Sequence, residues 1–525
     1  MVKLKKGIIY LIGAGPGDPE LITIKGNRLL NTCDAVVYDN LVANELIVAL
    51  PHTAQKYYVG KKAGHHCFSQ GEINRLLVKL AKRGKKIARL KGGDPFIFGR
   101  GSEEARYLKK HKIRFEIVSG VTSGVAALAY NGIPCTDRTK SSFVVFATGH
   151  KASEKRKSAV PWSWLARAKQ GTTVIYMGIG ELEGIVEKLL DGGMPKNMPS
   201  AIIERGTLPS QRMVTSDLCD LPKEARKARI KPPAIIVAGE TIDLRKDLKW
   251  YEKKPLSGVR VMITRLANQA QEMHDALREM GAEVLAYPTI AVDPVCDKQA
   301  WKKFNSAIPN FFPSPPEGEG RVRGIKFSPW LVFTSENGVK HFFSQFIERF
   351  KDIRKLSGFK IACVGTGTAK ALRSLNLHAD YIPPKANVKT LADSMLKKFK
   401  LSGAQVVRIR GNIASRTFES KLGSAGINVL PITVYKTYHP KWPEGLKGKL
   451  FDHPPHAIIF TSGSAVDGFF YNLKKDEAKQ LTSKALIASI GPMTSKVLKE
   501  KGLKVKVEAK GQTISALVKA IARRF

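Results

Sequence analysis

The chain has 525 residues, 43% of them hydrophobic and 8% aromatic, a globular composition too long for one ordinary core. Its 87 Lys and Arg against 45 acidic residues give a formal net charge of +42, spread along the chain rather than gathered in a tail. No apolar run reaches the roughly 18 residues of a membrane-spanning helix, and the six cysteines (Cys33, Cys67, Cys135, Cys219, Cys296, Cys363) form no Cys-x-x-Cys pair, which argues against a structural zinc or a disulfide framework and for a reducing cytoplasm. Lys3, Lys5 and Lys6 precede an apolar run that reads as a strand, so no signal peptide is expected. The basic charge suits nucleic acid, a polyanionic small molecule or a solvated surface. The basic stretch from Arg138 to Lys169 lacks the interleaved aromatics that stack bases, so nucleic acid is not expected as a partner.

The first predicted strand, Ile8–Ile12, runs into Gly13-Ala14-Gly15-Pro16-Gly17-Asp18-Pro19. Its Gly-x-Gly-Pro-Gly departs from the dinucleotide spacing, so a nicotinamide cofactor is not expected; a tight strand-to-helix turn is the plainer alternative. A strand at Ala35–Tyr38 is followed by Asp39, and Tyr57–Gly60 by Lys61. His65-His66 lack further ligand spacing and read as loop residues rather than metal ligands. A helix is predicted over Glu72–Lys82 and a strand over Lys86–Leu90. Then comes Leu90-Lys91-Gly92-Gly93-Asp94-Pro95-Phe96-Ile97-Phe98-Gly99-Arg100-Gly101, with a helix starting near Ser102. Glycines directly after a strand let the backbone take positive φ and approach a ligand, so this loop predicts a small-molecule site at the carboxyl end of a strand. Further strands at Phe115–Val118, Phe143–Thr148, Thr173–Met177 and Ala234–Ala238 alternate with helical patterns, predicting an α/β fold. The pattern lapses over Leu244–Pro255, which places a linker at 249–255 between a domain of residues 1–248 and one of 256–525, each folding independently.

The second half carries an internal duplication. Val332-Phe333-Thr334-Ser335 returns as Ile459-Phe460-Thr461-Ser462, and Ile361–Gly365 as Ile487–Gly491. Val261–Arg265 parallels Val406–Arg410, and Gly281–Leu285 parallels Gly426–Leu430. Each copy reads strand, polar loop, helix, and two similar α/β lobes follow. Residues 309–328 are dense in Pro and Gly without an apolar period and read as an inserted flexible loop.

Gly13–Thr23, Val37-Tyr38-Asp39, Val59–Gly64, Leu90–Gly101, Val118–Ser123, Gly132-Ile133-Pro134, Thr148-Gly149-His150, Tyr176-Met177-Gly178 and Glu204–Thr207 stand in register with one family. Over about 250 residues the chain resembles the uroporphyrinogen-III C-methyltransferases of the tetrapyrrole methylase group. Val261–Arg265, Gly281–Pro288, Phe333–Val339, Val364–Leu372, Val434–Thr437, Phe460–Val466 and Ile490–Leu498 resemble uroporphyrinogen-III synthase over about 256–525. The resemblance implies a two-lobed methylase unit followed by a synthase of two flavodoxin-like lobes, one built from the first and last portions of that half and the other from its middle.

It also implies a bifunctional enzyme that cyclises hydroxymethylbilane to uroporphyrinogen III and methylates it twice to precorrin-2, with S-adenosyl-L-methionine as cofactor and a homodimer formed through the methyltransferase half. By motif position Pro16, Gly92, Gly93, Asp94, Ile97, Thr122, Ser123, Met177 and Gly206 would line the cofactor site. Asp39 would be proton acceptor, Lys61 proton donor, and Tyr435 would assist hydroxyl loss. Ser335, Ser462, Ser464 and Thr494 would receive substrate carboxylates beside backbone amides. No metal is implied. From the residues alone, Met177 reads also as core packing, Thr122 and Ser123 equally as a helix cap, and Tyr435 equally as an edge-strand tyrosine, while Asp39 and Lys61 read rather as capping and solvated charge. Asn40, Asp137 and Gly463 depart from residues frequent in these families (Arg, His and Ser). The rival readings are an RNA methylase of the same fold and a tetrapyrrole carrier with one inactive half. Neither sirohaem nor cobalamin is singled out as the end product.

Overall fold

The computed structural model describes residues 7–51, 53–60, 68–149, 160–168, 170–265, 271–311, 328–442, 444–511 and 513–525. Four five-stranded sheets organise them. The first contains β1 (Ile8–Gly13), β2 (Ala35–Tyr38), β3 (Gln55–Tyr58), β4 (Lys86–Lys91) and β5 (Arg114–Val118), all parallel in the order β3-β2-β4-β1-β5. Both faces are covered, as a parallel sheet requires. Ile9, Leu11 and Val37 pack with Leu77 and Leu108 on one side; Ile12, Val36 and Leu90 pack with Leu30 on the other. The predicted helix at 72–82 runs Gln70–Lys82 and starts at a capping box in which Ser69 and Glu72 satisfy each other's amides.

The second sheet is mixed: β6 (Phe143–Thr148), β7 (Gly171–Tyr176), β8 (Pro199–Glu204), β9 (Arg212–Asp217) and β10 (Ala234–Ala238), in the order β6-β7-β10-β8-β9. Only β6 and β7 run parallel. The segment expected as a linker is ordered. A helix spans Arg245–Leu248 and a 3-10 turn Tyr251–Lys253. Trp250 donates from its indole to the Ala129 carbonyl at 2.9 Å, and Tyr251 is buried against Tyr130. Gly132 has φ 68°, and a side chain there would strike the backbone of Leu248, so it admits this segment closely.

The third and fourth sheets hold β11 (Arg260–Ile263), β12 (Glu283–Ala286), β13 (Ala291–Pro294), β14 (Trp330–Phe333), β15 (Lys360–Cys363), β16 (Val406–Gly411), β17 (Val429–Tyr438), β18 (Ala457–Phe460), β19 (Leu486–Ser489) and β20 (Val507–Glu508). Their orders are β12-β11-β18-β19-β20 and β13-β17-β16-β14-β15. The first joins the opening and closing portions of this half, all parallel, in the flavodoxin-like order. The sequence duplication maps strand for strand: β12, β11, β18 and β19 correspond to β17, β16, β14 and β15, in the same spatial order. Only the starting point along the chain differs, so one lobe is a permutation of the other. Where β20 extends the first, a single parallel bridge from Ala362 to Tyr381 extends the second. The second also gains antiparallel β13 beside β17, a strand the sequence pattern does not announce. The helix before the insertion spans Lys298–Phe311, so residues 309–311 are helical rather than loop, and the rest of the expected loop to 327 lies outside the described residues.

The chain resolves into two compact units. One comprises Met1–Tyr287, Pro443–Val466 and Leu473–Phe525; the other comprises Pro288–Trp442 and Asp467–Asn472.

Candidate functional site

Three loops converge at the carboxyl end of the first sheet, following β1, β4 and β5. Gly93 donates its amide to the Gly15 carbonyl at 2.7 Å, and Gly15 returns the bond at 3.3 Å. Both residues have positive φ, 79° at Gly15 and 68° at Gly93. A Cβ on Gly13 would lie 2.5 Å from Gly120 Cα, and one on Gly120 would lie 2.3 Å from the Gly93 oxygen. Glycine is therefore required at Gly13 and Gly120 by backbone-on-backbone packing, and the result is a cradle of main chain at the carboxyl end of the sheet. Asp94 locks it: one carboxylate oxygen accepts from Phe96 N at 2.7 Å, the other from Gly120 N at 3.0 Å. Gly92 admits the loop after β2, since a Cβ there would meet Leu41 Cβ at 2.6 Å.

The second sheet closes the cradle. Met177 follows β7 with φ 54° and is 52% exposed, so it is not core packing. The Tyr176 hydroxyl lies 2.7 Å from Thr122 Oγ1 and accepts the Gly124 amide at 2.7 Å; burial pushes its phenol pKa up. Thr122 stands at the N-cap of the helix Ser123–Tyr130 without a capping bond of its own, because its hydroxyl is turned to Tyr176. Ile97 packs on the cluster containing Val174 and Tyr176. Gly206 lets its loop touch Ala127, where a Cβ would come within 2.3 Å. Beside it Thr207 Oγ1 accepts the Asp18 amide at 3.0 Å, tying the loop that holds Pro16 to the second sheet. Eight of the nine residues expected around the cofactor thus sit on loops, and Ser123 opens the helix Ser123–Tyr130.

Asp39 accepts from Leu41 N at 3.1 Å and from Arg89 at 3.3 Å. Behind it lies a charge cluster that sequence reasoning missed. Arg89 and Lys91 are almost wholly buried and converge on one oxygen of Glu104, at 3.2 and 3.0 Å, with Gln70 at 3.1 Å. Burial opposes ionisation of Glu104, but Arg89 and Lys91 outweigh it and hold the carboxyl below its usual range; burial lowers the Lys91 pKa. The available signal was two cations at alternate positions inside the apolar strand β4. Lys61, His65 and His66 lie outside the described residues.

In the second half, Ser335 caps the helix Glu336–Phe350 by accepting from Gly338 N at 3.0 Å. Its hydroxyl is also 2.9 Å from the Tyr435 hydroxyl. β17 is flanked by β13 and β16, so Tyr435 is not on an edge strand. Its ring lies over Gly411, where a Cβ would come within 2.5 Å. Ser462 repeats the Ser335 cap with nearly the same backbone angles (φ −162°, ψ 159° against φ −162°, ψ 157°). It bonds Ala465 N, and Ser464 Oγ is 3.2 Å away. Thr494 is buried in the first turn of the helix Pro492–Glu500. Ser335 and Tyr435 belong to one unit; Ser462, Ser464 and Thr494 belong to the other. Among the described residues no group of three His, Cys, Asp or Glu could hold a metal, and no helix is long and apolar enough to cross a membrane.

Comparison with known proteins accounts for both halves. The family described as tetrapyrrole (corrin/porphyrin) methylases matches residues 8–222, and that described as uroporphyrinogen-III synthase HemD matches residues 271–519. The porphyrin biosynthesis protein HemD of Ruminiclostridium josui is 36% identical over 98% of this chain and 97% of its own. The S-adenosyl-L-methionine-dependent uroporphyrinogen III methyltransferase of Methanosarcina barkeri is 45% identical over 45% of this chain and 93% of its own. A solved uroporphyrin-III C-methyl transferase of Thermus thermophilus, complexed with S-adenosyl homocysteine, is 37% identical over 45% of this chain and all of its own, with a TM-score of 0.39.

Proposed function

The chain belongs to the tetrapyrrole methylases in its first half and to the uroporphyrinogen-III synthases in its second, and from that we propose that it cyclises hydroxymethylbilane to uroporphyrinogen III and methylates that product twice to precorrin-2. The observation that carries the proposal is the co-occurrence, over nearly the whole chain, of an enzyme that makes a macrocycle and one that consumes it.

S-adenosylmethionine fits the glycine cradle. A Cβ on Gly93, whose loop Asp94 holds, would meet nothing nearer than 3.9 Å, and Pro16, Gly92, Ile97, Thr122, Ser123, Met177 and Gly206 would supply the walls beside it. The bound sulfonium supplies an electrophilic methyl group, so alignment is the enzyme's main task. Asp39 accepts the proton lost from the macrocycle; Arg89 holds its carboxylate in place. Lys61 is assigned as the proton donor. In the synthase half, Tyr435 assists departure of the bilane hydroxyl with Ser335 as its hydrogen-bond partner. Ser335, Ser462 and Ser464 receive substrate carboxylates beside helix N-terminal amides, and Thr494, whose side chain is buried, contributes through the first turn of its helix. A homodimer through the methylase half and a cytoplasmic setting complete the proposal; the free buried thiols of Cys33 and Cys363 suit a reducing compartment.

The test is incubation of the purified protein with hydroxymethylbilane and S-adenosylmethionine, followed by identification of the macrocycle by mass and isomer. Dimethylated type III product is expected. Unmethylated type III macrocycle alone, or methyl transfer to RNA alone, would refute the two-step reading.

A further inference from the structure

We infer that Arg278, a residue of the synthase half, is a positioning residue for the cofactor loop of the methylase half. The inference rests on the reading of that loop as the S-adenosylmethionine site. Arg278 lies near the end of the helix Gln271–Glu279 and reaches out of its own lobe. Its guanidinium donates to Asp18 Oδ1 at 2.9 Å, with both side chains about 15% exposed (15% and 14%). Asp18 closes the loop that starts at Gly13 and contains Pro16. All the residues concerned belong to the same compact unit.

Asp18 is bonded on every side. Its amide donates to Thr207 Oγ1 at 3.0 Å, beside Gly206. Oδ1 also accepts from Glu20 N at 3.0 Å, starting the turn Pro19–Leu21. Oδ2 accepts the Tyr130 hydroxyl at 2.8 Å, and Tyr130 is in turn packed by Trp250 and Tyr251. A carboxylate with this many partners fixes the loop on both sides of the cradle. Arg278 is its one cationic partner among the described residues, and a charge-assisted bond is the strongest of the set. Removing it leaves a mostly buried carboxylate facing a phenol whose ionisation burial already opposes. The loop then loses its electrostatic anchor while Tyr130 and Thr207 still hold it. The effect should therefore fall on cofactor affinity and not on the chemical step. By reciprocity, cofactor binding should tighten the contact and with it the helix Gln271–Glu279.

The experiment uses the full chain and S-adenosylhomocysteine as probe, titrated calorimetrically into wild type, Arg278→Ala, Arg278→Lys and Asp18→Asn. Arg278→Ala should weaken binding about three- to thirtyfold, the range of couplings carried by packed networks. The KM for S-adenosylmethionine should rise in step, with kcat little changed. Arg278→Lys should recover part of the loss, and hydroxymethylbilane cyclisation should be unaffected. Hydrogen exchange over residues 271–279 should slow on adding S-adenosylhomocysteine to wild type and not to Arg278→Ala. If Arg278→Ala does not fold, Arg278→Lys and Asp18→Asn carry the comparison. Affinity within twofold of wild type in the folded variants overturns the inference while leaving the site intact. So does a fall in cyclisation matching the fall in affinity, which would mark general loosening. Wild type that binds no S-adenosylhomocysteine overturns the site reading and the inference together.

Discussion

Gly120→Ala puts the cradle to its most direct test. Gly120 is not at positive φ, so an alanine there suffers no backbone penalty of its own and the substitution isolates close approach. The new Cβ would sit 2.3 Å from the Gly93 oxygen, 2.7 Å from Gly13 Cα and 2.8 Å from Gly13 C. All three are backbone atoms, which cannot swing aside as a side-chain end could. Ordinary contact begins near 3.4 Å, so the loops after β1, β4 and β5 must part by about 1 Å, and the 3.0 Å bond from Gly120 N to Asp94 is strained as they do. Overpacking of this kind costs about 1–3 kcal/mol of stability, and a displacement of about 1 Å at a reacting centre costs about a hundredfold in rate, or about 2.7 kcal/mol. We expect S-adenosylhomocysteine affinity and methyl transfer both to fall about that far, with the circular dichroism spectrum retained. Gly184→Ala is the control. It lies in the helix Leu182–Asp191 with nothing within 4 Å of its Cβ, and it should leave affinity unchanged. A folded Gly120→Ala protein that binds S-adenosylhomocysteine within twofold of wild type would refute the argument that these glycines serve the ligand.

Asp94→Ala removes the acceptor shared by Phe96 N and Gly120 N, and calorimetry should show S-adenosylhomocysteine binding weakened by about 1–3 kcal/mol; unchanged affinity would mean the loop holds without it. Tyr435→Phe loses the 2.9 Å bond to Ser335 and should slow ring closure, leaving more bilane to cyclise spontaneously to the non-inverted isomer; an unaltered isomer ratio by chromatography would make Tyr435 a packing residue. Glu104→Gln removes the carboxylate that Arg89 and Lys91 share, leaving Asp39 as the remaining acid beside them, and should cost about 3–5 kcal/mol in denaturant unfolding of the methylase half. Because the Glu104 pKa is depressed in the fold, its contribution is fully present above the ordinary carboxylate range and is lost as pH falls through the folded pKa. Wild type should therefore lose stability below about pH 4, and Glu104→Gln should show a smaller drop over that window; equal drops would locate the acid sensitivity elsewhere.

Short apolar strands bounded by turn residues were readable end to end. Ala35–Tyr38, Phe143–Thr148 and Ala234–Ala238 fold with those same limits. The lobe duplication was readable because each copy repeats strand, serine cap and helix, and Ser335 and Ser462 do cap in the same way. The sheet order that unites them was not, because periodicity carries no information on permutation. β13 escaped because it is four residues long and its pairing with β17 spans more than 130 residues. The charged interior escaped for a different reason. Arg89 in β4 and Arg408 in β16 interrupt apolar strands, and a one-dimensional pattern scores them as solvent-facing. Only the fold supplies the Glu104 and Glu419 that make their burial tolerable.

The ordered segment between the halves bears on why two enzymes share one chain. A flexible tether raises the effective concentration of one partner at the other through the conformations it samples. Residues 249–255 have little such freedom: Trp250 is bonded to Ala129, Tyr251 is buried, and the Lys254 ammonium lies 5.4 Å and 5.1 Å from those two ring centroids. Gly281, with φ 92°, packs closely on Lys254 from the synthase side. With the segment clamped, the helix Gln271–Glu279 is delivered to the cofactor loop at one fixed position, and the Arg278–Asp18 pair forms without the entropy loss of closing a mobile loop. Any benefit of fusion in this chain therefore comes through geometry held by packing, and substitutions that loosen Trp250 or Tyr251 should act on the methylase even though neither residue touches the cradle.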